Sequence, residues 1–210
     1  MRVILLALVL VLTINTNVRP DDFSPIPRML TENNGDIEYY SGVIYKEDNE
    51  NYYILTCAHP LFDRSNPVTY VNLVSTNEES SVAYVALKCK LLKRSDTKDL
   101  VLYSCKRPYF TKLTPIKLGS GLLLKNVKCE VIGYTNNFKR KAIPVTVNEY
   151  NAIIDNEKTL IINGNIIHGM SGGPLVKNDE IYGIQSSTAT TEPLSLLSNL
   201  ISIQEFINKN

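Results

Sequence analysis

The chain has 210 residues, 44% of them hydrophobic, and carries 22 Lys and Arg against 21 Asp and Glu for a formal charge of +1. That length supports one sizeable domain or two small ones, and the balanced charge, with no basic block, argues against nucleic acid or an anionic membrane surface as partner. The four cysteines, Cys57, Cys89, Cys105 and Cys129, form no CxxC pair or Cys/His cluster, so neither a metal nor another cofactor is expected.

At the N-terminus, Arg2 precedes the apolar run Val3–Leu12, which gives way to the polar "TINTN". The order of charge then apolar run is that of a secretory signal, and the run is too short to span a bilayer. Residues 1–17 are therefore expected to be a signal peptide; an uncleaved anchor is the alternative, since no Ala-x-Ala site follows. The mature protein is expected to be extracellular, free of the membrane and in an oxidising compartment where the thiols can pair.

Residues 18–35 read as an N-terminal extension. Beyond them come short runs rich in Ile, Val, Tyr and Thr, such as "IEYYSGVIY", "YYILT", "TYVNLV", "VAYVALKCKLL", "DLVLYSC", "VKCEVIGY", "AIPVTVN", "TLIIN" and "IYGIQ". Runs of this length, separated by Asn, Asp, Gly, Ser and Lys clusters, predict strands joined by turns. The stretch at 107–116 reads as a linker between a β half at 36–106 and another at 117–210. Near the end, "SIQE" at Ser202–Glu205 has capping-box spacing and predicts a short terminal helix covering a barrel.

Chemistry concentrates in few places. In "HGMSGGPLV", His168 to Val176, one serine lies among three glycines, a composition that clears space around a hydroxyl. A serine hydroxyl is a weak nucleophile and needs a base held by a third group. The chain has only two histidines, His59 and His168, and His59 ends the strand-like "YYILTCAH". Alone, a histidine after a strand, Asp99 before "LVLYSC", and Ser171 in a turn are each ordinary structural features. All three in one order are not.

Together, "ILTCAHPLF", "KDLVLY" and "GMSGGPLV" resemble the signature segments of the chymotrypsin-like (trypsin-like) serine proteases, and the style of "SGVIYKEDNENYYILTCAH" is similar to the compact branch of glutamyl endopeptidases and HtrA-type proteases. The likeness runs from about residue 37 to 210. It implies two six-stranded antiparallel β-barrels, with His59 and Asp99 on the first and Ser171 on the second. It makes Ser171 the nucleophile, His59 the general base, and Asp99 the group that fixes the imidazole tautomer. The N–H groups of Gly169 and Ser171 become the oxyanion hole. Ser186, Ser187 and Thr188 become a strand edge for an extended substrate, and Asn165, Ile166, His168, Gln185 and Thr188 surround the primary specificity pocket. With Asn165 and Gln185 in that pocket, neither a counter-charge for Lys or Arg nor the histidine of the glutamyl endopeptidases is present, which leaves a neutral polar or small side chain as the preferred residue.

Two departures from the family change the expected behaviour. Met170 stands where activatable relatives carry an aspartate for a new N-terminal ammonium, so the oxyanion hole is expected to form without processing beyond signal removal. Cys129 lacks its family partner because Lys177 occupies that position. Cys89 and Cys105 flank the connection at 94–98 and can face each other as a disulfide, leaving Cys57 and Cys129 paired or free. The expected function is that of a secreted, monomeric serine endopeptidase acting on protein or peptide substrates. The alternative is a protease-fold binding or decoy protein without turnover.

Overall fold

The computed structural model describes residues 24–62, 67–74, 84–188 and 193–209; the expected signal peptide at 1–17 lies outside them. The first eight strands are β1 (Arg28–Asn33), β2 (Asp36–Ser41), β3 (Val43–Glu47), β4 (Asn51–Thr56), β5 (Val68–Val74), β6 (Tyr84–Lys88), β7 (Lys90–Ser95) and β8 (Leu100–Lys106). They form two four-stranded sheets, β2-β1-β5-β6 and β3-β4-β8-β7. Only one residue separates β2 from β3, and one separates β6 from β7. Each pair is thus a single passage of chain, bent at Gly42 or at Cys89, that leaves one sheet for the other. Counted as passages, six strands close a ring, in keeping with the expected barrel.

The stretch read as an extension contributes β1, which pairs with both β2 and β5, so the first barrel begins before residue 36. The strand was hidden because one of its two inward positions is polar: Met29 and Thr31 are both fully buried. The Thr31 hydroxyl bonds to Tyr40 at 2.7 Å and to Thr69 at 2.9 Å, and Thr69 bonds in turn to Tyr103 at 3.0 Å. These links satisfy the buried hydroxyls and tie four strands across the barrel.

The second half holds β9 (Lys117–Leu118), β10 (Lys128–Tyr134), β11 (Arg140–Ile154), β12 (Glu157–Asn163), β13 (Pro174–Lys177), β14 (Glu180–Thr188) and β15 (Leu194–Asn199). The order β13-β10-β11-β12-β15-β14 closes on itself through β13–β14, giving a continuous six-stranded antiparallel barrel, with β9 added parallel to β14. Residues 107–116 lie between β8 and β9. They are stitched to the first barrel by Leu113 in its core and by the Ile116 N–H donating to the Ile44 carbonyl at 3.0 Å.

Each barrel has its own core, and a third apolar cluster joins them. The alternation of β-strand faces explains the third. On β8, Val101, Tyr103 and Cys105 face the first core, while Leu100 and Leu102 face the seam with Ile181 and Ile184 of β14. The β3-β4-β8 sheet is therefore apolar on both faces. Ile203 and Phe206 of helix α1 (Leu200–Asn208) pack into the same seam, so the helix covers the junction of both barrels.

Helix α1 begins two residues before the expected capping box. Asn199 is its N-cap, and the Asn199 side chain accepts from the Ser202 N–H at 2.9 Å. Ser202 instead donates its hydroxyl to the Lys158 carbonyl at 3.0 Å. The expected disulfide is also absent, because all four cysteines are free thiols. Continuing the register Lys90↔Ser104 by one step sets Cys89 opposite Cys105, as the spacing implied. Cys89 lies at the bend, however, where its N–H turns to the Thr69 carbonyl of β5 and its thiol to the Leu87 carbonyl.

Candidate active site

Strand β4 ends at Thr56, and three residues later a short 3-10 turn, His59–Leu61, presents the imidazole. Strand β8 starts just after Asp99, which sits in the turn from β7 with a left-handed φ of 48°. Because β4 and β8 are neighbours with Thr56↔Val101 in register, the two ends meet. Asp99 Oδ1 accepts the backbone N–H of Ala58 and of His59, both at 2.7 Å. Its Oδ2 pairs with His59 Nδ1 at 2.9 Å and accepts the Ser186 hydroxyl at 2.5 Å. Four donors converge on one carboxyl group, which as an ionised carboxylate is acceptor-only. The proton of a neutral imidazole is thereby assigned to Nδ1, leaving Nε2 as the free base.

The turn that carries Asp99 is anchored to the second barrel. Lys98 pairs with Glu157 at 2.8 Å and with Glu205 at 3.2 Å, and the Ser198 hydroxyl donates to the Lys98 carbonyl. Burial opposes the charge on Lys98, but the hydrogen bonds to both glutamates outweigh it and raise the pKa.

Ser171 lies between β12 and β13, in a loop pressed against the first barrel. Gly169 and Gly172 both adopt left-handed backbone, at φ 95° and 79°, which a side chain would strain. Space is equally decisive at Gly172, where an added Cβ would meet the Ser41 carbonyl and the Thr56 hydroxyl at 2.2 Å and the Cys57 nitrogen at 3.1 Å. The Ser171 loop and the segment leading to His59 are thus in close contact. Among the described residues no hydrogen bond joins Ser171 Oγ to His59 Nε2. The nearest hydrogen-bonding partner of Nε2 is Cys57 Sγ at 3.8 Å. Burial, reinforced by Asp99, pushes the Cys57 thiol pKa well up, so it stays protonated and is a poor nucleophile.

Around Ser171, carbonyls are taken up while two amides are not. The Gly173 N–H donates to the Met170 carbonyl at 2.9 Å, and the Asn136 N–H donates to the His168 carbonyl at 3.3 Å. A trans peptide points its N–H opposite its C=O. The N–H groups of Ser171 and Gly169 therefore face away from these bonds, and neither has an acceptor among the described residues.

The remaining predicted residues divide. Gln185 is buried behind the loop, where its backbone exchanges hydrogen bonds with Gly172 at 2.8 Å and Gly173 at 2.9 Å. Its Nε2 donates to the Ser187 carbonyl at 2.9 Å, while its Oε1 is buried without a partner. Past Gln185, residues Ser187 and Thr188 pair with β15 on one side only. Asn165 and His168 are exposed and Ile166 is half-buried against the second core. His168 Nδ1 bonds to Asn136 Oδ1 at 3.1 Å. Met170 is fully buried in the second core and carries no charge that could hold an ammonium.

Sequence reasoning missed Ser41, Thr56 and Asn136, and it assigned Ser186 to the substrate edge without its bond to Asp99. A small polar residue inside an apolar strand run, "YYSGVIY", was the available signal for Ser41.

The model of the trypsin-like peptidase domain matches residues 40–184. Among solved structures, the Rv3671c protease from M. tuberculosis in its active form is 14% identical with a TM-score of 0.69, covering 92% of this chain and 82% of that one. A serine endoprotease from Yersinia pestis is 19% identical with a TM-score of 0.69, covering 90% and 63%. Deg5 is 16% identical with a TM-score of 0.67, covering 91% and 90%. No curated protein matches the sequence.

Proposed function

The chain belongs to the trypsin-like peptidase family, and on that premise we propose that it is a secreted, monomeric serine endopeptidase working through Ser171, His59 and Asp99. The observation that carries this reading is the orientation of His59: Asp99 holds Nδ1 and leaves Nε2 as the base, while Gly172 of the Ser171 loop packs against Thr56 and Cys57 just before the histidine.

In the proposed reaction, His59 Nε2 takes the Ser171 hydroxyl proton as Oγ attacks the substrate carbonyl carbon. The electron pair of the C=O bond moves to oxygen, where the unpaired N–H groups of Gly169 and Ser171 receive the negative charge. Asp99 stabilises the imidazolium that forms. His59 then gives the proton to the departing amine, the C–N bond breaks, and an acyl-enzyme remains. Water, deprotonated by the same Nε2, attacks the ester, and collapse of the second tetrahedral intermediate returns the hydroxyl proton to Ser171 and releases the acid. The unpaired side of Ser186, Ser187 and Thr188 receives the substrate as an added strand. Asn165 stands where an acidic counter-charge would select Lys or Arg, and we propose a neutral polar or small residue as the preferred side chain at the cleavage site.

The test is labelling of the folded protein with a fluorophosphonate, with Ser171→Ala and His59→Ala alongside and peptide mapping of the modified residue. Label on Ser171 that depends on His59 is expected. A folded preparation that takes no label would overturn the reading and leave a protease-fold binding protein.

A further inference from the structure

We infer that Ser41 is a positioning residue that presets the anion-binding face of the Ser171 loop from the opposite barrel, in place of the ammonium latch that Met170 precludes. Ser41 is the last residue of β2 and is fully buried. Its hydroxyl donates to the Gly169 carbonyl at 3.0 Å and accepts the Tyr134 N–H at 2.8 Å. Its own N–H donates to the Ser171 carbonyl at 2.7 Å, and its carbonyl accepts the Thr56 hydroxyl at 2.6 Å. Four bonds from one small residue thus join the histidine strand, β10 and both ends of the segment Gly169–Ser171.

The consequence follows from peptide geometry. The two free N–H groups, of Gly169 and Ser171, belong to peptide planes on either side of the Gly169–Met170 plane. That middle plane is held at its carbonyl by Ser41 Oγ and at its N–H by the Ile167 carbonyl at 3.1 Å. Rotation of the middle plane changes ψ of Gly169 and φ of Met170 and swings the two donors apart. A hydroxyl that donates to Gly169 while accepting from Tyr134 has no freedom to release that plane. The space is reserved for this bond, since a Cβ at Gly133 would lie 2.8 Å from the Ser41 hydroxyl. A bond between neutral groups sets the donors, and no N-terminal charge is involved.

The activity arm of the test rests on the proposed serine chemistry, whereas a second arm does not. Ser41→Ala is compared in the full chain with Thr31→Val, which removes an equally buried hydroxyl of the same barrel remote from the loop. Fluorophosphonate labelling and ester hydrolysis are expected to slow by ~10–100-fold in Ser41→Ala, somewhat less than loss of a donor itself. The loss is expected in kcat with KM and the pH midpoint unchanged, while Thr31→Val lowers Tm but labels within about twofold of the parent. Parental rates in Ser41→Ala, or an equal loss in Thr31→Val, would overturn the inference. In the second arm, the backbone amide resonances of Gly169 and Ser171 are expected to move in Ser41→Ala and to hold in Thr31→Val; unmoved resonances would overturn it even if the parent takes no label. Should Ser41→Ala fail to fold, Gly133→Ala, which crowds the hydroxyl, is read in both arms with the same expected losses and shifts.

Discussion

In the first barrel two of the six passages bend out of one sheet into another, whereas in the second the six strands form an unbroken ladder. Bending leaves β3, β4 and β8 covered by apolar side chains on both faces, so the first barrel offers the seam a rigid sheet. His59 and Asp99 come from the ends of that sheet and are held by strand register. Ser171 comes from a loop and is held by glycine conformations and by backbone bonds from the opposite barrel. The His59–Asp99 pair is thus placed by strand register within one barrel and steadied from the other by Ser186 and by the Lys98 anchor, whereas the Ser171 loop is held by contact between the two.

The largest expected effect breaks the first of these arrangements. Asp99→Asn keeps the shape of the side chain but favours the wrong imidazole tautomer, and a loss of about 10⁴ in labelling rate is expected, with little change in urea midpoint. A loss below tenfold would show that the histidine is oriented by something else. Gly172→Ala attacks the second arrangement: the methyl meets two oxygens at 2.2 Å in a left-handed backbone, so destabilisation of about 3 kcal/mol or more is expected in urea titration. Gly121→Ala, with open space at its Cβ position and no left-handed φ, is the companion substitution expected to change stability by about 0.5 kcal/mol or less.

Met170 sharpens the comparison from inside the second barrel. Met170→Leu conserves volume and is expected to cost less than about 1.5 kcal/mol. Met170→Asp puts an unpaired carboxyl into the apolar core and is expected to cost several times as much, at about 3–5 kcal/mol. Equal stability of the two variants would mean that a cation reaches the loop after all.

The smallest effect is peripheral. Hydrogen bonds from Lys158 and Lys98 hold the Glu205 carboxyl below its ordinary value. Its contribution to stability is therefore present above the ordinary carboxylate range and is lost as pH falls through the lowered value. Lys98, raised above the ordinary lysine value, contributes below that range and loses the contribution as pH rises through the raised value. Glu205→Gln is expected to cost no more than about 1 kcal/mol at neutral pH and to flatten the acid limb of a stability profile followed by circular dichroism.

Much of this fold was legible because short runs rich in Ile, Val, Tyr and Thr, bounded by turn residues, mark strands. The run Leu100–Cys105 announces a strand by its length and residue types, although which side chains face the first core and which the seam is not written in it, since both faces are apolar. Strand β1 was illegible because Thr31 satisfies its hydroxyl against side chains distant in sequence. The three candidate residues were singled out by their order and by the resemblance it carries, since strand then His59, Asp99 then strand, and glycines about Ser171 are each ordinary alone. Ser41 and the Ser186 bond to Asp99 were not, because hydrogen bonds spanning 128 and 87 residues leave no local pattern. The helix cap misled for the opposite reason: Ser202 and Glu205 have capping-box spacing, but Asn199 one turn earlier fills the cap.

The contact of Gly172 with Ser41 and Thr56 has a further consequence for the order of events in folding. His59 and Ser171 lie on opposite sides of that contact, and their separation in sequence makes it among the costly closures of the chain. On the proposed chemistry either barrel alone holds only part of the site, so a half-folded molecule is expected to take no fluorophosphonate label. The onset of activity during refolding should then serve as a clock for the docking of the two halves, lagging behind the recovery of strand structure in each.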